Sequence, residues 1–155
     1  MPPVRVTFFL EVLSSWCHWA EPTWQQLKTS YGDRVHFEWK IALMDTEAFP
    51  KSQEQCDGYY RRSEAVRKSD YRLNSGWFEF GQGQFLSASL MALAAKQMGV
   101  SDDSARLALT HAALRVGRKI GRWEIAAEVI SETHGLPVTE LLMWARSPEI
   151  LREAQ

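Results

Sequence analysis

The sequence of 155 residues contains only two cysteines, Cys17 and Cys56. Two cysteines are too few for a disulfide framework, which excludes a small secreted scaffold held together by disulfides. The first five residues lack a basic segment followed by an apolar stretch, and we therefore expect no signal peptide. Without an export signal, both cysteines are expected to be reduced thiols in the cytoplasm.

An excess of one charge is also lacking. The sequence has 18 Lys and Arg against 19 Asp and Glu, a formal net charge of -1. That balance provides no electrostatic basis for binding nucleic acid or an anionic membrane surface. No apolar run approaches the roughly 20 residues that a membrane-spanning helix needs. We therefore expect neither nucleic acid nor a membrane among the partners of this chain.

The composition is otherwise that of a globular protein, with 45% hydrophobic and 24% charged residues. Its unusual feature is the presence of seven tryptophans. Three of them, Trp16, Trp19 and Trp24, flank Cys17, which indicates aromatic surroundings for that thiol. The histidines show no spacing typical of metal ligands, and we expect no metal site.

Periodicity predicts a strand, a helix and a second strand at the start of the chain. Residues 4–10 are β-branched and aromatic, as in a buried strand, and residues 34–41 alternate with period two. Between them, residues 16–31 have a helical pattern. The apolar face of that helix is formed by Ala20, Trp24 and Leu27. Such a βαβ unit places its two strands parallel to each other in one sheet.

The rest of the chain is predicted to be mostly helical. Residues 44–60 and 73–84 have the composition of loops, and a short basic helix is predicted over residues 59–68. Further helices are predicted over 86–98, 102–120 (capped by Ser101), 123–134 and 139–146, with a last turn at Ser147 and Pro148. We therefore divide the chain into a βαβ start, residues 1–45, and a helical segment, residues 46–155.

The most informative stretch is Ser14-Ser15-Trp16-Cys17, which lies where the first strand ends and the first helix begins. A helix N-terminus offers unpaired N–H groups and about half a positive charge, which stabilise a thiolate. This position makes Cys17 a candidate reactive thiol. Two simpler interpretations remain open: Cys17 can be a buried core residue, and Ser14 can be only a helix cap.

The strand, the tetrad, the helix and the helical segment together resemble the DsbA-like thioredoxin superfamily. The similarity is to the FrnE-type oxidoreductases and to the group of 2-hydroxychromene-2-carboxylate isomerases and kappa-class glutathione transferases. Their tetrads are typically Cys-Pro-Trp-Cys in the oxidoreductases and Ser-Pro-Tyr-Ser in the isomerase and transferase group. Here Trp16 and Cys17 match the first form, and Ser14 matches the second.

This resemblance implies an α/β protein with a thioredoxin-like fold and a large helical insertion. It marks Ser14 and Cys17 as the candidate catalytic residues. The candidate substrate-binding residues are Ser15, Trp16, His18 and Trp19. Cys56, in the helical segment, is a further thiol that could resolve a disulfide formed at Cys17.

The chain departs from the superfamily pattern in two places. Ser14 stands where the oxidoreductases have their nucleophilic cysteine, and one sulfur cannot cycle between dithiol and disulfide within the tetrad. The superfamily also has a cis-proline loop, a β-hairpin and a last helix after the insertion. Pro137 is not that loop, because the residues after it have a helical pattern. We therefore expect either a piece of a longer protein or a sheet completed by a partner, such as a second copy in a homodimer.

Three functions remain open on these residues. The first is a DsbA-like thiol–disulfide oxidoreductase in which Cys17 acts alone on a small thiol or on a protein thiol or disulfide. The second is a glutathione-dependent transferase or isomerase in which Ser14 donates a hydrogen bond to the glutathione thiolate. Glutathione would be a co-substrate, and no other cofactor is implied. The third is a non-catalytic binding module that keeps the fold. The pair Trp16-Cys17 favours the first.

Overall fold

A computed structural model of the protein describes residues 3–155. The strands are β1 (Val4–Leu10) and β2 (Val35–Ile41), and α1 (Ser15–Tyr31) connects them. The helices that follow are α2 (Gln53–Arg67), α3 (Ser87–Gln97), α4 (Ser104–His111), α5 (Trp123–His134), α6 (Val138–Ala145) and α7 (Pro148–Ala154). A 3-10 turn, Thr46–Ala48, precedes α2, and a π turn, Ala112–Val116, continues α4. Within residues 3–155, no helix combines the length and hydrophobicity needed to cross a bilayer.

The βαβ unit predicted from periodicity is confirmed. β1 and β2 pair in parallel along their whole length, from Val4 opposite Val35 to Leu10 opposite Ile41. Because the strands are parallel, their carboxyl ends lie at the same edge of the sheet. The chain leaves β1 at that edge and enters α1 at Ser15, so the tetrad begins at the end of the sheet.

The second helix starts earlier than predicted, and the expected loop over residues 44–60 is wrong in its second half. α2 begins at Gln53, where the side chain of Ser52 accepts a hydrogen bond from the Gln55 backbone N–H at 3.1 Å. The first turn of α2 is mostly polar and exposed, with Cys56 as its buried residue. Hydrophobic periodicity detects a helix only where an apolar face repeats, and this turn therefore escapes detection.

The helix predicted over residues 102–120 is shorter at both ends. Ser101 does not cap it; the backbone N–H of Ser104 instead donates to the Asp102 side chain at 3.0 Å. After His111 the backbone widens into the π turn, and Gly117, with a φ of 80°, ends it. A left-handed conformation favours glycine because glycine lacks a Cβ atom.

One hydrophobic core joins the sheet to the helices. α3 lies at its centre and packs against α4, α5, α6 and α7. Its residues from Ser87 to Ala95 are all buried, and Leu10, Val12 and Leu13 bring the end of β1 into the same core. The residues that connect β1 to the start of α1 are therefore held in a densely packed core.

A buried polar network fixes α1 against α4. The guanidinium group of Arg106 is 3% exposed and donates to the two carboxylate oxygens of Glu21, in α1, at 2.8 and 2.9 Å. A further contact of 2.8 Å joins Arg106 to Asp103. Burial alone would raise the pKa of Asp103, but hydrogen bonds from Lys28 and Gln25 and the charge of Arg106 lower it to about 2. The network therefore holds its charges paired at neutral pH.

Candidate functional site

Ser14 caps α1, and Cys17 lies one turn into the helix, as the sequence predicts. The Ser14 side chain accepts a hydrogen bond from the Cys17 backbone N–H at 3.3 Å, and its carbonyl accepts one from the His18 N–H at 3.1 Å. His18 is the first intrahelical donor, so the N–H groups of Ser15 and Trp16 precede the helical ladder. A hydroxyl can also donate one hydrogen bond, and that capacity of Ser14 is available for a ligand.

A cavity of about 410 Å³ opens beside Ser14. Its walls come from the start of α1, the segment after β2, and α2. Ser15 and Trp16 line it together with Ser14, whereas Cys17 does not. Its polar wall on α2 carries Arg62, whose guanidinium group lies 5.5 Å from the centre of the Tyr59 ring. The cavity thus combines a hydroxyl donor, a helix N-terminus and an exposed cation.

The Cys17 side chain lies in a different place. It is half-buried and lines a narrow recess on the α4 side of α1, together with Glu11, Glu21 and Arg106. The two candidate catalytic residues therefore do not share a cavity. A ligand beside Ser14 and a disulfide attacked by Cys17 would approach α1 from different directions.

The three tryptophans near Cys17 form another surface. Trp16, Trp19 and Trp24 line a groove between α1 and β1, and Cys17 is not among its lining residues. The predicted apolar face of α1 also lies in this groove, where Leu27 is 39% exposed. The expected aromatic surroundings of Cys17 are therefore corrected, because helical rotation turns Cys17 away from the groove that the rings line.

Two of the predicted substrate-binding residues have structural partners away from the Ser14 cavity. Trp19 is buried, and its indole N–H donates to the hydroxyl of Ser63 in α2 at 3.0 Å. The Nε2 atom of His18 lies 2.8 Å from the Tyr71 hydroxyl. Burial lowers the pKa of His18, and the charge of Arg115 lowers it further. Of the four predicted substrate-binding residues, Ser15 and Trp16 are the two that line the cavity beside Ser14.

Cys56 lines the same cavity as Ser14 but is almost inaccessible, at 1% exposure. Burial raises the pKa of its thiol to about 12, which keeps it protonated at neutral pH. Both cysteines are free thiols. Cys17 and Cys56 line different cavities, and the geometry does not bring them together as an exchanging pair.

Glu11 is a buried carboxyl group that lies outside the predicted site residues. One of its oxygens accepts from the Ser89 hydroxyl at 2.6 Å, and the other accepts from the Leu13 backbone N–H at 3.0 Å. Burial raises its pKa to about 7, although these hydrogen bonds act in the opposite direction. Its signal was present in the sequence: a single carboxylate inside the apolar run from Phe8 to Leu13.

No protein-family model matches the sequence, and neither does any curated protein. Solved structures do match. A proposed protein disulfide isomerase from Nitrosomonas europaea superposes with a TM-score of 0.72 at 11% identity, covering 97% of this chain and 74% of the other. The cytosolic disulfide reductase DsbM from Pseudomonas aeruginosa, with GSH, superposes with a TM-score of 0.74 at 14% identity, covering 97% and 76%. The chain therefore has a DsbA-like thioredoxin fold, as its sequence predicts.

Proposed function

We propose that the protein binds glutathione beside Ser14 and acts as a glutathione-dependent transferase or isomerase. One observation carries the proposal: Ser14 lines an open cavity of about 410 Å³, whereas Cys17 lines a narrow recess elsewhere. The cavity lies within the size range of small-molecule sites. Its hydroxyl donor and helix N-terminus suit a thiolate, and its exposed cation suits a carboxylate of the same ligand.

Ser14 would hold the sulfur of glutathione. Its hydroxyl oxygen already accepts from the Cys17 N–H, which leaves the hydroxyl hydrogen to donate to a thiolate. The N–H groups of Ser15 and Trp16, and the dipole of the 17-residue α1, add positive potential at the same point. The bound thiol would release its proton to solvent, and the thiolate would attack an electrophilic carbon of the substrate through its sulfur lone pair. In a transferase reaction the new C–S bond replaces the bond to a leaving group, which departs with that electron pair. In an isomerase reaction the thiolate adds to a conjugated double bond, whose electron pair takes up a proton from solvent, and the thiolate is expelled again after rotation about the resulting single bond.

Arg62 would bind a carboxylate of the same molecule. It is exposed and lines the cavity, and no carboxylate within residues 3–155 forms an ion pair with it. A guanidinium group fits the geometry of a carboxylate. The matching DsbM structure holds GSH and comes from a cytosolic protein, which supports glutathione as co-substrate and a cytoplasmic location here.

A second function, thiol–disulfide exchange at Cys17, has its own supporting observation. Cys17 is a free, half-exposed thiol in the first turn of α1, in a fold shared with disulfide reductases. Its thiolate would attack a substrate disulfide, form a mixed disulfide and release one substrate thiol. A glutathione thiolate would then reduce that mixed disulfide, releasing Cys17 and leaving a glutathione–substrate disulfide.

Calorimetric titration of two ligands tests the role of Ser14. Wild-type protein is titrated with glutathione and with S-methylglutathione, which has the same carboxylates but cannot form a thiolate. A hydrogen bond to a charged group contributes about 1.5–3 kcal/mol, so Ser14→Ala should weaken glutathione binding at least roughly tenfold. Binding of S-methylglutathione should change little.

Ser52→Ala is the matched control. Ser52 caps α2 through a hydrogen bond of the same kind and does not line the cavity, so its loss removes a cap without touching the site. Equal weakening in both variants, or equal weakening for both ligands, would contradict thiolate binding by Ser14. Absence of heat with either ligand would leave exchange at Cys17 or a non-catalytic module as the better explanation.

A further inference from the structure

A second cavity, of about 400 Å³, lies between α1 and the segment formed by α4 and the π turn. It shares no lining residue with the cavity beside Ser14. The residues that face it from α1 and from α4 recur at helical spacing, so one face of each segment forms a wall. The lining residues that matter here are His18, Pro22, Tyr71, Leu107, His111 and Arg115.

This second cavity carries unpaired positive charge. Arg115 and His111 are exposed, and within residues 3–155 no carboxylate forms an ion pair with Arg115. The acid in the cavity wall is Glu21, and both of its oxygens accept hydrogen bonds from Arg106. The negative charge of Glu21 is therefore already balanced by Arg106. A ligand would meet the charge of Arg115 and the ring nitrogens of His111.

Arg115 is held in place before any ligand arrives. Its guanidinium group lies 3.7 Å from the centre of the Tyr71 ring, and the Tyr71 hydroxyl lies 2.8 Å from His18. The backbone N–H of Asn74 donates to the Leu114 carbonyl at 2.7 Å, which ties the loop after Tyr71 to the π turn. Stacking on an aromatic ring leaves the edges of a guanidinium group free to donate hydrogen bonds.

The backbone at this point is itself unusual. Arg115 belongs to the π turn Ala112–Val116, and such turns inside α-helices occur frequently at functional sites. Pro22, Leu107 and the ring of Tyr71 give the cavity an apolar wall. Gln25 and Thr110 also line it, but their side chains already donate hydrogen bonds within the protein, Gln25 to Glu21 and Asp103 and Thr110 to the Val12 carbonyl. An inorganic anion would gain no binding free energy from the apolar wall. A ligand with an apolar part would gain it by burying that part against the wall.

We propose that this second cavity binds a small organic anion, a carboxylate with an aromatic or aliphatic body, whose head group contacts Arg115 and His111. The ligand would enter between α1 and α4 with its apolar body against Pro22, Leu107 and the ring of Tyr71. This site is independent of glutathione binding beside Ser14, because the two cavities have separate walls.

Benzoate and benzyl alcohol are the probes, since they share a ring and differ in charge. Ring signals of His18 and His111 are followed by NMR while each probe is added, and calorimetry measures the affinity. Benzoate should shift both histidine signals in a saturable manner. Arg115→Gln removes a charge-assisted contact of about 1.5–3 kcal/mol, so it should weaken benzoate binding at least roughly tenfold. Arg115→Lys should retain part of the affinity.

Arg72→Gln is the matched control, because Arg72 is exposed in the same loop as Tyr71 but does not line the cavity. It should leave benzoate binding nearly unchanged, and so should Ser14→Ala. Each of the following results would overturn the proposal: no shift of the His18 and His111 signals, equal weakening by Arg72→Gln, binding of benzyl alcohol as tight as that of benzoate, or loss of benzoate binding in Ser14→Ala.

Discussion

Cys17 and Cys56 differ in their access to solvent. Cys17 is half-buried, whereas Cys56 is 1% exposed and its pKa is raised by burial to about 12. Alkylation requires the thiolate, and a thiol of such high pKa is almost entirely protonated near neutral pH. We predict that iodoacetamide labels Cys17 of the folded protein faster than Cys56 by a factor on the order of 100, measured by mass spectrometry.

The single variants Cys17→Ser and Cys56→Ser assign each rate to one sulfur. In guanidinium chloride the two thiols should react at similar rates, because unfolding removes the burial that distinguishes them. If Cys17 is labelled only after unfolding, it is a core residue, and thiol exchange at Cys17 would be ruled out as a function.

Glu11 makes stability depend on pH. Its pKa is about 7 in the folded protein against an ordinary value of 4.5, so between these values the folded state holds a proton that the unfolded state releases. Stability is therefore highest below the unfolded value and falls as pH rises towards 7. A shift of this size corresponds to about 3 kcal/mol. We predict that the free energy of unfolding falls by that order between about pH 4.5 and 7.

Glu11→Gln isolates this contribution. The amide keeps the shape of the side chain and does not titrate, so urea unfolding of the variant should depend less on pH over the same range. The difference between the two curves removes other titrating groups such as His18, whose lowered pKa acts in the opposite direction. Parallel curves for wild type and variant would show that Glu11 does not titrate in this range.

At the scale of elements, Arg106 is the buried cation of the polar network that attaches α1 to the start of α4. Arg106 bridges Glu21 of α1 and Asp103 at the start of α4. Removing it leaves the largely buried Glu21 without a cationic partner, while Asp103 keeps its contact with Lys28 at 2.6 Å. Breaking such a buried pair costs about 3 kcal/mol or more. We predict that Arg106→Ala lowers the free energy of unfolding by that amount, as measured by urea denaturation.

Arg118→Ala is the comparison for this prediction. Arg118 pairs with Glu132 at 2.7 Å, but the Glu132 side chain is 59% exposed. Solvent-exposed pairs contribute about 1 kcal/mol or less, so this variant should be much less destabilised. Similar losses of unfolding free energy in the two variants would mean that the buried Arg106 stabilises the protein no more than an exposed ion pair does.

The success of helix prediction also depends on the element. The helices α3, α5 and α6 have apolar faces, and their bounds in the structure lie within one residue of the predicted ones. α2 is different, because its exposed first turn carries little apolar periodicity, and its true start is indicated by the cap at Ser52. The end predicted at residue 120 for the helix that contains α4 was wrong, because the wider π turn does not follow the 3.6-residue period.

At the scale of the whole molecule, the helices pack on one end of a two-stranded sheet and share its core. The two ends of β1 differ in burial: Val4 is 62% exposed and Leu10 is 4% exposed, although the neighbouring Phe9 faces solvent at 62%. The tetrad therefore follows the best-packed part of the sheet. A helix cap that donates to a ligand needs such support, because its geometry must be held before the ligand binds.

The sequence by itself determined the βαβ unit, the position of Ser14 at the start of α1 and the resemblance to DsbA-like proteins. These follow from local periodicity and capping, which depend on neighbours within a few residues. Only the tertiary structure decided that Ser14 and Cys17 line different cavities, that Glu11 is buried, and that Arg115 lies over Tyr71. Residues far apart in the chain form these surroundings, and their packing depends on how whole helices rotate and approach, which no local pattern specifies.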